Sequence, residues 1–256
     1  LPIYSGGQYY GGTTDITRTI YLGDKPPETL KLIYTKVLLG HLNISMLKFP
    51  AGTKGYQLDS IARFNLWNDG LDYNHGTGHG VGSFLGVHEG PQSISKNTNN
   101  VSLKPGMIIS NEPGFYKNKS FGIRIENLVL VKKSLFNNYF EFETLSLFPY
   151  ELKLISFNLL NSAQKDWLRQ YHNKVYTKVS NLLDKKHSEW LKKKIQINNP
   201  FDKTNLFLSP ELKNVTSLPA TIPTTSSYYS IAFLISYCLD NSIKESNKTF
   251  ENFLNH

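Results

Sequence analysis

Two histidines stand four residues apart among three glycines in His75-Gly76-Thr77-Gly78-His79-Gly80, and His88-Glu89 follows shortly after. Imidazole is the commonest metal ligand and the usual proton-transfer group near neutral pH. The glycines let the backbone approach a ligand closely. Asp15 lies within Gly12-Thr13-Thr14-Asp15, beside three threonine hydroxyls counting Thr17. Asn111-Glu112-Pro113-Gly114 puts a carboxylate at the end of an apolar run, just before a forced turn. Burial there is costly unless the charge is paired or coordinated. In Phe121-Gly122-Ile123-Arg124-Ile125-Glu126-Asn127, alternation places Arg124 and Glu126 on one strand face and the isoleucines on the other.

Each signal alone has an ordinary explanation. Asp15 could accept bonds from its neighbouring hydroxyls, either histidine could be structural, and Arg124 with Glu126 could be a same-face ion pair of little worth. Together they supply Asp15, His79, Glu112 and Glu126, a hard oxygen set with one imidazole. Such a set suits manganese, cobalt or zinc better than copper or an iron–sulfur cluster. Three carboxylates at one spot need cationic compensation, and two ions balance that charge better than one.

The elements that must carry these groups follow from periodicity. Ile16, Arg18 and Ile20 alternate with Asp15, Thr17 and Thr19 in a strand pattern bounded by Gly11-Gly12 and Gly23. Pro26-Pro27 starts a helix with Leu30, Ile33, Tyr34, Val37, Leu38 and His41 on one face. A second helix is expected over residues 56–67, with Leu58, Ile61, Ala62 and Leu66 as its stripe, ended by Asn68-Asp69-Gly70. Lys104-Pro105-Gly106 turns into the apolar run Met107-Ile108-Ile109, and residues 121–131 read as one strand. A long amphipathic helix is expected from Asn161 to about Lys194, with Trp167, Leu168, Tyr171, Val175 and Val179 inward. Strands and helices without a βαβ rhythm indicate an α+β domain. Residues 195–227, rich in Asn, Ser, Thr and Pro, read as loop or linker, and 228–239 as a short apolar element.

The chain has 256 residues, 39% of them hydrophobic, with 15 Phe and 15 Tyr, which is ample for a core. The net charge of +8 is spread over scattered lysines apart from Lys192-Lys193-Lys194. That reads as a solvated surface and not a nucleic-acid patch. The single cysteine, Cys238, excludes an internal disulfide framework and fits a reducing, cytoplasmic setting. The apolar stretch 228–239 is too short to span a bilayer. The chain opens on Leu1 and enters a strand without lead-in, so a fragment is expected.

Tyr9-Tyr10-Gly11-Gly12-Thr13-Thr14-Asp15-Ile16-Thr17-Arg18-Thr19, residues 75–85, Val87-His88-Glu89-Gly90-Pro91, Ser110-Asn111-Glu112-Pro113-Gly114 and the 121–131 segment resemble the aminopeptidase P family, in its order and near its spacing. The resemblance covers about residues 2–194, including Asp166-Trp167-Leu168 in the tail helix. It implies a pita-bread fold, a curved antiparallel sheet flanked by helices, here incomplete at its N-terminal side. Residues 1–150 would be the metallopeptidase catalytic region, 151–194 the family's tail helix and 195–256 an extension. It further implies two divalent ions, usually manganese, and release of the first residue of peptides with proline second. Asp15 and Glu126 would bridge the ions, His79 and Glu112 would complete one ion's shell, and His75 and His88 would hold substrate and assist proton movement. A homodimer is implied on the same ground.

One residue departs from the pattern. The family reads Asp-Ser-Gly where this chain reads Tyr4-Ser5-Gly6. The missing carboxylate normally grips one ion with both oxygens, and a neutral phenol with a reference pKa of about 10 is a poor substitute. Weak binding of the second ion and impaired turnover are therefore expected, and the opening section of the fold, with a further active-site histidine, is expected to be missing. As an isolated piece the chain is expected to be inactive. A prolidase acting on Xaa-Pro dipeptides is an alternative, although the stretch between His79 and His88 and the 121–127 segment favour the aminopeptidase. So is a pita-bread module that binds peptides or proteins without catalysis.

Overall fold

A computed structural model describes residues 1–9, 12–82 and 86–196. The loop 195–227 and the apolar element 228–239 expected from sequence therefore lie almost wholly outside the described residues.

The chain starts with an antiparallel hairpin of β1 (Pro2–Tyr9) and β2 (Gly12–Thr19), in a register that sets Tyr4 opposite Thr17 and Gly6 opposite Asp15. Helix α1 (Glu28–Ser45) begins directly after Pro27, whose fixed φ and missing N–H suit a helix start. It is followed by β3 (Lys48–Pro50) and by α2 (Tyr56–Trp67), whose ends match those read from the stripe and from Asn68-Asp69-Gly70. Gly70 has φ +70°, the left-handed conformation that favours glycine.

Short β4 (Gly78–His79) pairs with β5 (Ser93–Ile94). The main sheet is antiparallel and contains β6 (Ile108–Asn111), β9 (Asn127–Lys133) and β10 (Tyr139–Thr144), in the order β3-β10-β9-β6. Between β6 and β9 runs a second hairpin, β7 (Gly114–Lys117) with β8 (Phe121–Arg124). Single bridges join Thr17 to Glu126 and Gly80 to Ile109, so the β1–β2 hairpin and the histidine segment are both tied to the sheet.

Two expectations are corrected here. Residues 121–131 form two strands, with Ile125 and Glu126 between them. The chain leaves β7 at this point to pair with β6, and the break turns Glu126 toward β2, while Ile123 and Ile125 are wholly buried. The expected 161–194 helix is also two. Helix α3 (Ser162–Val179) carries a reciprocal capping box between Asn161 and Gln164, and a 3-10 turn at Ser180–Leu182 precedes α4 (Lys185–Ile195), capped by the Asp184 carboxylate. Asp184 accepts from the His187 N–H at 2.9 Å, a start signal inside what reads as one amphipathic run.

The larger core joins the buried faces of α1 and α3 to Ile16, Ile123, Ile125, Phe148 and Tyr150. A smaller one lies where α2 meets the main sheet, around Ala62, Ile94, Ile109 and Val129. No helix of the described residues is long and apolar enough to cross a membrane.

Candidate metal centre

Four of the sequence-selected side chains come together. Asp15 projects from β2, His79 from β4, Glu112 follows β6, and Glu126 sits in the break before β9. His79 Nε2 lies 3.2 Å from Glu112 Oε1 and 3.5 Å from Asp15 Oδ2. Ligand atoms of His79, Glu112 and Glu126 lie within 4.8 Å of one another, as do those of Asp15, His79 and His88. His79 belongs to both sets, so the two meet at its ring.

Three of the four, His79, Glu112 and Glu126, are held from behind. The His79 Nδ1–H donates to the Gly80 carbonyl at 2.9 Å, which leaves Nε2 facing the carboxylates. Ser110 Oγ accepts from the His79 backbone N–H at 2.9 Å and donates to Glu112 Oε1 at 3.0 Å, locking these two residues to each other. Thr17 Oγ1 donates to Glu126 Oε2. Such outer contacts fix the orientation of metal ligands.

The electrostatics fit a cation. Glu126 is pushed up to about 8, first by burial and then by the charges of Glu112 and Asp15. Burial alone would lower His79, yet the Asp15 and Glu112 carboxylates raise it to about 10. His79 Nε2 is buried and has no aligned hydrogen-bond partner, although both carboxylates lie within 3.5 Å of it. A buried nitrogen aimed without a partner into clustered carboxylates is the donor arrangement that a divalent ion satisfies.

His75 and His88 take different places. The His75 Nδ1–H donates to the Gly76 carbonyl at 2.8 Å, and Nε2 accepts from Tyr116 Oη at 3.0 Å. Burial, then Arg124, lower the His75 pKa and keep the ring neutral. Arg124 Nε donates to the same phenol oxygen at 2.9 Å, and its Nη1 is 3.7 Å from Glu112 Oε2. Sequence reasoning missed Tyr116, because the β7–β8 hairpin that folds it back against His75 leaves no spacing signal. His88 is exposed, with its ring edge-on to His79 at 4.2 Å between centroids. Tyr4, 58% exposed, has its ring 5.7 Å from the Arg124 guanidinium. In β1 it pairs with Thr17 and shares that residue's face. A phenol therefore stands at the rim of the cluster.

A cluster of donors suited to a metal ion stands on two hairpins and a sheet, and the sequence profile of metallopeptidase family M24 matches residues 2–133, followed by that of its C-terminal region over 138–197. The chain belongs to this family and has its pita-bread fold. It is 51% identical over 199 residues to a protein of Coprinopsis cinerea named "Probable Xaa-Pro aminopeptidase P", covering 74% of this chain and 32% of that protein. It is 50% identical over 187 residues to aminopeptidase P2 of Arabidopsis thaliana, covering 70% of this chain and 26% of the relative. The chain thus spans between a quarter and a third of the length of these relatives. Among solved structures, the X-prolyl aminopeptidase of Caenorhabditis elegans, described as a cytosolic enzyme with a di-nuclear active site, superposes with a TM-score of 0.73 at 37% identity over 76% of this chain and 33% of that one. An Xaa-Pro dipeptidase of Bacillus anthracis gives 0.51 at 33% identity, over 59% of this chain and 39% of the other.

Proposed function

We propose that this chain carries the metal centre of an Xaa-Pro aminopeptidase that releases the first residue of peptides with proline in second position. The convergence of Asp15, Glu112 and Glu126 around His79 carries the reading. Its direction toward Xaa-Pro peptides is supported by the names of relatives about half identical to it.

Asp15 and Glu126 would each hold both of two divalent ions, and His79 and Glu112 would complete the shell of one. The oxygen-rich donor set favours manganese, with cobalt or zinc as replacements. Such ions supply Lewis acidity toward a carbonyl and the acidification of water. The chain's own groups do the rest. His75, neutral and fixed through Tyr116, presents a ring able to bind the substrate backbone or accept a proton, and His88 offers a second imidazole at the open side of His79. Arg124 balances Glu112 and holds the Tyr116 phenol. A cytosolic setting accords with the single cysteine.

Tyr4 sets the limit of this centre. The second ion would lack a terminal carboxylate and rest on the bridging Asp15 and Glu126 alone. We predict that the purified complete protein binds one manganese tightly and a second at least tenfold more weakly, and that Tyr4→Asp raises both stoichiometry and cleavage of Xaa-Pro tripeptides. Two ions bound with equal affinity by the Tyr4 form would refute this limit. Faster cleavage of Xaa-Pro dipeptides than of tripeptides would favour a prolidase. Absence of both metal and cleavage would favour a binding module.

A further inference from the structure

We propose that Asp59, Arg63 and Thr77 form a positioning unit that holds the loop carrying His75 and His79 in register with Glu112. The inference rests on the metal-centre reading above and extends it to residues outside the ligand set.

The loop cannot position itself. Gly76 and Gly78 bring no side chains to pack, and Gly78 is pressed so close to the sheet that a Cβ would fall 1.9 Å from the Ser110 carbonyl oxygen. Its geometry is imposed from α2. Arg63, 1% exposed, uses all five of its N–H groups. Nε and Nη2 donate to Asp59 at 2.6 and 3.2 Å, and Nη1 donates to Asp72 Oδ1 at 2.7 Å. The two remaining groups reach the carbonyls of Tyr73 and His75, both at 2.7 Å. The guanidinium also lies 3.8 Å from the centre of the Tyr73 ring, which is tilted against the His75 ring at 4.9 Å.

Thr77 completes the link from the other side. Its hydroxyl donates to Asp59 Oδ1 at 2.6 Å and accepts from Tyr73 Oη at 2.6 Å. Its carbonyl accepts from the backbone N–H of Glu112 at 2.7 Å. One residue therefore ties the buried Asp59–Arg63 pair to Glu112, the carboxylate that follows β6. His75 and His79 lie two residues to either side of it.

A buried ion pair is a poor source of stability, because desolvation offsets most of the attraction, and apolar replacements of similar volume are often neutral or better. What this pair does that an apolar one could not is direct two rigid donors at two loop carbonyls and one acceptor at the Thr77 hydroxyl. Its function is therefore geometric. A displacement of about 1 Å in a site of this kind can cost on the order of 100-fold in rate.

The discriminating variants are Thr77→Val, which keeps the size and removes the link, and Thr77→Ser, which restores it. In the complete protein, Thr77→Val is expected to weaken Co2+ binding about tenfold, to change the visible absorption of the cobalt form and to lower kcat for an Xaa-Pro tripeptide about 10- to 100-fold, with KM within about twofold. Thr77→Ser is expected to return all of these to wild-type values. Should Thr77→Val not fold, Arg63→Lys, which keeps the charge and loses the fork, carries the same expectations. Cobalt bound by Thr77→Val, or by Arg63→Lys in its stead, with wild-type affinity and spectrum would overturn the positioning role alone, as would equal impairment in Thr77→Ser and Thr77→Val. A wild-type protein that takes up no cobalt would overturn the metal centre and the positioning role together.

Discussion

Ser110 has no ligand atom in the cluster, yet it touches two residues that do: its hydroxyl accepts from the His79 N–H and donates to Glu112. Removing it by Ser110→Ala frees the Glu112 carboxylate to rotate toward Arg124, 3.7 Å away on its other oxygen. The expected result is a loss of metal affinity of about 10- to 100-fold, read by competition with a chelating dye. Tyr116 works at the same scale. Burial raises its pKa, so the phenol keeps the proton that it donates to His75 while accepting from Arg124. Tyr116→Phe is expected to lower kcat several-fold without changing metal stoichiometry, measured by steady-state kinetics beside metal analysis.

A second buried cation, Arg18, ties elements together much as Arg63 ties the histidine loop. Arg18 in β2 donates to the carbonyls of Thr17 at 2.9 Å and Glu126 at 2.6 Å, to Asn127 Oδ1 at 2.7 Å and to the Phe148 carbonyl at 2.7 Å. It also donates to Tyr171 Oη of α3 at 2.9 Å. Helix α3 is thereby wired to β2, which presents Asp15, and to the break that presents Glu126. Tyr171→Phe removes the hydroxyl that serves Arg18 and the Phe148 backbone, and is expected to cost about 1–3 kcal/mol in chemical denaturation. Because α3 carries none of the candidate metal ligands, the metal affinity of the folded protein should change less in Tyr171→Phe than in Ser110→Ala.

For the whole molecule, two buried histidines each add a loss of stability in acid. His41 and His172 are fully buried, and desolvation followed by the charge of Arg18 lowers each pKa from 6.5 to about 3. His41 bonds to the Asn111 carbonyl and Tyr150 Oη, and His172 Nε2 accepts from the Tyr150 N–H at 3.1 Å. The folded chain refuses protons that the unfolded chain takes up below about pH 6.5. The stability contributed by these neutral rings is therefore full above that pH and is lost as pH falls toward 3, at about 1.4 kcal/mol per pH unit for each ring. Comparing urea unfolding of the wild type with that of His172→Gln isolates one ring: the gap between them is expected to narrow between pH 6.5 and 4, and a constant gap would contradict it.

The helix boundaries at Pro27 and Asn68 were legible because they depend on caps and apolar spacing within one turn. The candidate ligands Asp15, His79, Glu112 and Glu126 were legible as residue types in unusual settings, a carboxylate amid threonines or at the end of an apolar run. Other features required the folded chain. The break at Ile125 and Glu126 depends on a change of pairing partner from β7 to β6, which strand alternation does not encode. The turn between α3 and α4 was hidden by amphipathic residues that continue across it. The roles of Arg63, Thr77 and Tyr116 appear only when α2 and the β7–β8 hairpin close on the histidine loop. The sequence by itself thus determined the inventory of donors and most local elements, because both are written in short-range chemistry. Tertiary structure alone decided which donors face one point and which groups hold them there, because charge and hydrogen bonding act through space between residues far apart along the chain.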